Sequence, residues 1–249
     1  MSQRDSEPNS PLEATDRVIA IGRATLRNVD FRKARFDRFS LTNCLFLACD
    51  FRGVRLDRSF QPLFSASPRS YFRDCHFDGA DLRRVRPENA RFERCTFDDA
   101  NLDGWRTQRA EFVECRFAGP IGDVVFYGRP DRRHRDAGRE RNDFRGNDFD
   151  EVALDGVTFV QGIDLAQQRL PPSDEAVVRL DRFPQRIEKA RKEVRAWTYP
   201  EERDAALQML DALPRRHQGQ SEIIAARISR NGPSPRVQVR VWALLERAL

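Results

Sequence analysis

The chain has 249 residues and a net charge of +5; 33% of its residues are charged and 39% are apolar. That apolar share excludes wholesale disorder, and no run approaches the roughly 20 consecutive apolar residues of a membrane span. Residues 1–17 carry no apolar signal core, so we expect a cytoplasmic protein with a disordered N-terminal tail over 1–17.

A five-residue period organises the apolar residues as far as about residue 165. Large apolar residues recur at every fifth position, and a small or moderately apolar residue stands two positions before most of them. This period fits neither a helix nor a flat strand, but it fits a chain that turns a corner every five residues. The large positions are Leu26, Phe31, Phe36, Leu41, Phe46, Phe51, Leu56, Phe72, Phe77, Leu82, Phe92, Phe97, Leu102, Phe112, Phe117, Phe144, Phe149, Leu154 and Phe159.

Three of these repeats, FRGVRL (51–56), FDGADL (77–82) and FDDANL (97–102), resemble the A(D/N)LXX motif of the pentapeptide-repeat proteins. The resemblance implies a mainly β fold over 18–168, a right-handed quadrilateral β-helix of about five coils with four pentads to a coil. Residues one coil apart would stack in columns. The predicted structural core is Leu41, Phe72, Phe92, Phe112, Cys44, Cys75, Cys95 and Cys115.

The period is first interrupted between Leu56 and Phe72. Removing an eleven-residue loop over 59–69 would place Cys44 one coil below Cys75 and would restore the period. The segment contains Pro62 and Pro68, which are typical of loops. We therefore predict an inserted loop at 59–69, and we expect the rod to fold without it.

A second interruption spans 118–141. Its first part, IGDVVFY, could supply two irregular corners, while GRPDRRHRDAGRER is polar and rich in arginine. Long loops on rigid scaffolds often carry function, although a tolerated surface insertion would give the same pattern. The candidate partner-binding residues are Phe126, Tyr127, Arg129, Arg132, Arg133, Arg135 and Arg139.

One face of the predicted rod departs from the pattern of large inward residues. Pro87 and Thr107 stand where large residues are expected, and Trp105 stands where a small one is expected. Either Trp105 fills the space locally or the face carries an altered groove.

Residues 169–249 predict a helical C-terminal region. We expect a helix over 174–197 with a kink at Pro184, a second from Pro200, a short one around Ile223, Ile224 and Ile228, and a last one beyond GPSP. This region would cap the rod or form a homodimer, because the open end of a solenoid needs a cover. A basic helical module that touches nucleic acid is the alternative.

No residue pattern points to catalysis, to a metal or to a cofactor. The five cysteines occupy small inward positions, where thiols act as compact apolar groups, and a stacked line of them would not converge on zinc. His76, His134 and His217 lie far apart, outside any nucleophile or metal motif. We predict that the protein is not an enzyme.

Within the pentapeptide-repeat family, the best-understood rods bind type II topoisomerases, and the quinolone-resistance members carry projecting loops. The resemblance therefore implies a non-enzymatic protein-binding scaffold whose partner is DNA gyrase or another type II topoisomerase. Unlike the acidic, DNA-like members, residues 1–165 balance 28 basic against 28 acidic side chains. The alternative is a nucleic-acid-associated protein that uses the basic loop and the C-terminal helices.

Overall fold

The structure is a computed structural model that describes residues 18–34, 38–55, 69–83, 85–130 and 138–248. The predicted tail and all but the last residue of the predicted loop 59–69 lie outside the described residues. In the described part the fold is mainly β, with parallel sheets followed by three α-helices. The strands are β1 (Val18–Gly22), β2 (Thr25–Arg27), β3 (Arg38–Thr42), β4 (Leu45–Leu47), β5 (Tyr71–Arg73), β6 (Arg91–Glu93), β7 (Thr96–Asp98), β8 (Arg106–Thr107), β9 (Glu111–Val113), β10 (Arg116–Gly119), β11 (Val124–Tyr127), β12 (Phe144–Arg145), β13 (Asp148–Val152), β14 (Val157–Val160), β15 (Val177–Leu180) and β16 (Ile223–Ala226).

The chain returns to the same parallel sheet at regular intervals. The largest sheet has the order β12-β9-β6-β5-β4-β2, and Phe72, Phe92 and Phe112 are direct neighbours across β5, β6 and β9. Smaller parallel sheets, β13-β10-β7, β14-β11-β8 and β1-β3, form the neighbouring sides of the rod. This pairing is that of a β-helix, while the right-handed sense and the count of about five coils remain predictions.

Most corners of the rod form at the position two residues after a large inward residue. Gly53 and Gly79 follow Phe51 and Phe77 at this position, with φ of 65° and 64°, a region that glycine enters without steric cost. The same position is also left-handed where the residue is not glycine, as at Arg23, Asn28, Asn43, Ala48, Asp74, Arg94, Asp99 and Glu114. The five-residue period therefore reflects a left-handed corner in most pentads.

Two columns of stacked phenylalanines fill the rod. In one column the ring centroids of successive members are 4.5 to 5.0 Å apart with nearly parallel planes; its members are Phe31, Phe51, Phe77, Phe97, Phe117 and Phe149. The second column contains Phe46, Phe72, Phe92 and Phe112, at 4.8 to 5.0 Å. All eight predicted core residues are buried, with at most 1% of their surface exposed. Aromatic stacking adds about 0.5–1.5 kcal/mol per pair to the apolar burial.

The register across the first interruption differs from the prediction. Phe46 pairs with Phe72, and the amide of His76 donates to the carbonyl of Cys49, so Cys49 and not Cys44 lies below Cys75. The amide of Cys44 instead donates to Ser70 Oγ, 26 residues away. Because the regular return is 20 residues, as between Arg73 and Glu93, the insertion adds six residues. The prediction of an eleven-residue loop was wrong, because five of those eleven residues are needed to complete this coil with one more pentad.

The second interruption begins later than the sequence indicated. β11 lies within 118–141, and Ile121, Val124 and Phe126 belong to the rod core. The return from Cys115 to Asn147 spans 32 residues, twelve more than a regular coil. Residues 118–127 are therefore part of the rod, and the extra residues lie after them.

The C-terminal region forms a second apolar cluster against the last described strands of the rod. β15 and β16 pair antiparallel, and helices α1 (Phe183–Val194), α2 (Pro200–Arg216) and α3 (Pro235–Arg247) pack on them. The prediction of helix from 174 was wrong, since Val177–Leu180 is a strand and Pro184 lies in the first turn of α1. The short helix expected around Ile223 and Ile224 is β16.

Hydrogen bonds attach this C-terminal cluster to the rod. The amide of Gln161 donates to the carbonyl of Gln218, Gln220 Nε2 donates to the carbonyl of Ile163, and Ile224 reaches the rod core. These contacts cover the sheet that ends in β14. None of the helices in the described ranges is long and apolar enough to cross a membrane.

Candidate functional site

Both insertions rejoin the rod at the side of the six-stranded sheet on which its strands begin. The first ends at Arg69 and Ser70, immediately before β5, and the second ends at Asn142 and Asp143, immediately before β12. β5 and β12 belong to the same parallel sheet, so both segments enter it from the same side. We call this side of the sheet, where residues 69–70 and 142–143 enter it, the insertion edge.

A buried carboxylate holds the insertion edge together. Glu111, at the start of β9, is 4% exposed and accepts from Arg91 Nη1 at 2.9 Å and from Arg69 Nη1. Arg139 Nε lies 2.8 Å from its other oxygen, Oε1. The amide of Asp143 also donates to Oε1, at 3.3 Å. One carboxylate thus joins the returning ends of both insertions to the central coils.

Arg139 is part of this anchor. Its guanidinium donates to Asn89 Oδ1 at 3.0 Å, to Asn142 Oδ1 and to the carbonyl of Arg109. Burial lowers the pKa of Arg139 from its ordinary value, and the nearby Glu111 opposes that shift by favouring the charged form. Arg139 therefore attaches the second insertion to the rod and does not project from it.

The other candidate partner-binding residues differ in accessibility. Phe126 is fully buried, so its ring cannot contact a partner. It is a core residue of the rod, and its prediction as a partner-binding residue was wrong. Tyr127 is half-buried and its amide donates to Thr107 Oγ1, while Arg129 is exposed. Arg132, Arg133 and Arg135 lie outside the described residues.

The face with the irregular residues carries a groove as well as a local filling. Trp105 is 1% exposed, and its Nε1 donates to the carbonyl of Leu82 at 2.9 Å, so it does fill the rod there. Outside it lies a cavity of about 310 Å³, lined by Val85, Arg86, Pro87, Glu88, Gly104, Trp105, Arg106, Gln108 and Arg109. Trp105 therefore fills the rod at this face, and a groove lies outside it.

On the regular sides of the rod, Arg32, Arg52 and Arg83 each pair with a close carboxylate. Arg32 pairs with Asp30 at 2.7 Å, and Arg52 pairs with Asp50 at 2.6 Å, each across two residues of the same corner. The hydrogen bonds from Arg32 lower the pKa of Asp30 to about 2. This pattern recurs at Arg83 with Asp81, 2.7 Å apart. Paired charges of this kind leave little net field on these sides of the rod.

The cysteines and the buried histidine have structural environments. The five thiols are free and buried, and burial, followed by contact with Cys115, raises the pKa of Cys95. Burial, with the positive charge of Arg216, lowers the pKa of His217 to about 4, so this side chain is neutral at pH 7. In the described ranges, no three His, Cys, Asp or Glu side chains form a group that could hold a metal ion.

Comparisons with known proteins identify the repeats. The family models for pentapeptide repeats match residues 23–59, with eight copies, and residues 69–116, with nine copies. These two stretches are pentapeptide repeats, which confirms the family that the motifs indicated. No curated protein matches the chain.

Among solved structures, three matches are structures of QnrB1, a plasmid-mediated fluoroquinolone resistance protein. The first has 14% sequence identity, covers 61% of this chain and 78% of that chain, and has a TM-score of 0.28. The second, also at 14% identity, covers 62% and 88% with a TM-score of 0.21, and the third, at 12%, covers 61% and 81% with a TM-score of 0.16. At these TM-scores the matches carry no argument about function.

Proposed function

We propose that this protein is a non-enzymatic scaffold that binds a protein partner at the insertion edge. The observation that carries the proposal is the shared anchor at Glu111, which three arginines from separate segments contact. A tolerated insertion needs no buried ionic anchor, whereas a binding segment gains affinity when its ends are held in place.

The general proposal is tested by capture from a lysate of the source cell. The bait is the intact protein, and the comparison is a variant with residues 131–137 replaced by a Gly-Ser linker of equal length, which preserves the coil register. The control is Arg52→Gln, on a side of the rod with paired charges. We expect the same partner with the intact protein and the control, and loss of it with the linker variant. Equal capture by all three would reject the insertion edge as the binding surface.

The most specific form of the proposal names DNA gyrase, or another type II topoisomerase, as the partner. It is supported by the pentapeptide repeats together with the two insertions. The balanced charge of residues 1–165 does not favour an acidic mimic of DNA. Contact through the insertions is therefore the mode we propose.

A gyrase assay tests this specific form. Purified gyrase is inhibited by a fluoroquinolone, and supercoiling is measured as the protein is added. The intact chain should restore supercoiling, and the linker variant at 131–137 should not. If the intact protein has no effect at micromolar excess, gyrase is rejected while the capture experiment still tests the scaffold.

A further inference from the structure

Two neighbouring cavities on the irregular face of the rod share Arg106 as a lining residue. The cavity beside Pro87 and Trp105 is followed by one of about 410 Å³ above β8, β11 and β14, and Arg106 lines both. The second cavity ends against the C-terminal cluster. We call the combined depression the basic trough; its charged lining residues are Arg86, Glu88, Arg106, Arg109, Asp123, Asp155, Arg215 and Arg216.

The positive charge of the basic trough is concentrated at its C-terminal end. Arg215 Nε donates to the carbonyl of Asp211, and Arg216 Nε donates to Thr158 Oγ1. In the part of the chain that the structure describes, neither guanidinium has a carboxylate within ion-pair distance. Elsewhere in the trough, Arg106 pairs with Asp123 at 2.8 Å and Arg109 pairs with Glu88 at 2.7 Å. Asp155 pairs with Arg230 at 3.5 Å, so each of the three lining carboxylates already has an arginine partner, and Arg215 and Arg216 supply positive charge beyond these pairs.

We infer that the basic trough binds an extended acidic segment of a protein partner. This inference rests on the proposed scaffold function: it adds a second contact surface, which adjoins the insertion edge where Arg139 donates to the carbonyl of Arg109, and it names the chemistry of what binds there. Three paired strands about 4.8 Å apart, together with the cavity beside Pro87, make a trough roughly 15 Å long, enough for about four or five extended residues. Carboxylates of such a segment would pair with Arg215 and Arg216 at one end and with Arg106 towards the other.

The alternation of charge along the trough favours a peptide over nucleic acid. A phosphate backbone carries charge at every link, so it could not avoid Asp123, Asp155 and Glu88. A peptide can place carboxylates over the arginines and neutral residues over the trough carboxylates. Complementarity of this kind gives specificity as well as attraction.

Direct binding to the full-length protein tests the inference. The probe is a fluorescent octapeptide of alternating Asp and Ala, compared at low ionic strength with its Lys-Ala counterpart and with a 20-nucleotide oligothymidine. The variant is Arg106→Gln with Arg215→Gln. The matched control is Arg52→Gln with Arg83→Gln, which removes the same charge from sides with paired arginines and carboxylates.

We expect the acidic peptide to bind the intact protein, to bind the trough variant at least tenfold more weakly, and to bind the control within twofold of the intact protein. Backbone amide shifts caused by the peptide should map to β8, β11 and β14. Absence of binding, equal loss in both double variants, or preference for the oligonucleotide would each overturn the inference.

The capture experiment separates this inference from the proposed function. If the trough variant still captures the same partner as the intact protein, the trough inference fails and the scaffold proposal stands. If the intact protein captures no partner while the acidic peptide binds the trough with the expected losses, the scaffold proposal fails and the acidic-segment site remains.

Discussion

The regular sides of the rod and the insertion edge use arginine in opposite ways. On the regular sides, Arg52 pairs with Asp50 two residues away, and half of its side chain is exposed to solvent. At the insertion edge, Arg69 reaches Glu111 across 42 residues, and the carboxylate is almost fully buried. Local, exposed pairs contribute little to stability, whereas a buried carboxylate shared by distant arginines links segments that are far apart along the chain.

The largest effect is expected from changing the length of the first insertion. Deleting 59–69 would cut the 26-residue return from Cys44 to Ser70 to fifteen residues, which is three pentads and not four. Phe46 could then no longer pair with Phe72, and the coils before residue 56 should lose their cooperative unfolding transition. Deleting only 61–66 restores a 20-residue return and should preserve that transition in urea. Folding of the eleven-residue deletion would refute the register described above.

Replacing a ring in the phenylalanine columns should have the next largest effect. Phe92 is fully buried and stacks on Phe72 and Phe112 at 5.0 Å. We expect Phe92→Ala to lower the free energy of unfolding by about 3–5 kcal/mol, measured by urea denaturation. Arg52→Ala, on a regular side, should change it by less than about 0.5 kcal/mol. Similar losses in the two variants would contradict the assignment of stability to the columns.

Glu111→Gln should lower the free energy of unfolding by about 3 kcal/mol, because it leaves Arg69, Arg91 and Arg139 without their shared buried charge. Amide exchange should become faster at both returning ends, residues 69–73 and 142–145. The control is Asp50→Asn, which removes a carboxylate from a half-exposed corner pair. If only one of the two ends loosens in Glu111→Gln, the insertions are anchored independently.

The smallest effect concerns pH. Because the pKa of His217 falls from 6.5 to about 4 on folding, the unfolded chain binds more protons between those values. The part of the free energy of unfolding that depends on neutral His217 is fully present above pH 6.5. It decreases as the pH falls, by at most about 1.4 kcal/mol per pH unit. Urea midpoints measured from pH 7 to 4.5 should show this slope. His217→Asn should remove it, and the exposed His76→Asn should keep it; a slope that survives in His217→Asn would exclude His217 as its source.

The repeat, its inward residues and the five-residue spacing of its corners could be predicted from the amino-acid sequence. Most pentads have a large residue inside the rod and a left-handed residue two positions later, so the information for a corner lies within five residues. The same locality explains why the family motif and the buried phenylalanines and cysteines could be identified from spacing, although the residue that stacks below Cys75 could not.

Features that depend on pairing between distant residues could not be predicted in this way and required the folded structure. Leu180 lies in a strand because it pairs with Ile223, a partner 43 residues away, and short apolar runs alone do not distinguish strand from helix. Cys49 lies below Cys75 because backbone hydrogen bonds between coils set the register, which counting residues through an insertion could not. Glu111 is a charged residue of the kind expected on the outside of the rod. Its role depends on Arg69 and Arg139, which precede and follow it in the chain and contact it only in the folded structure.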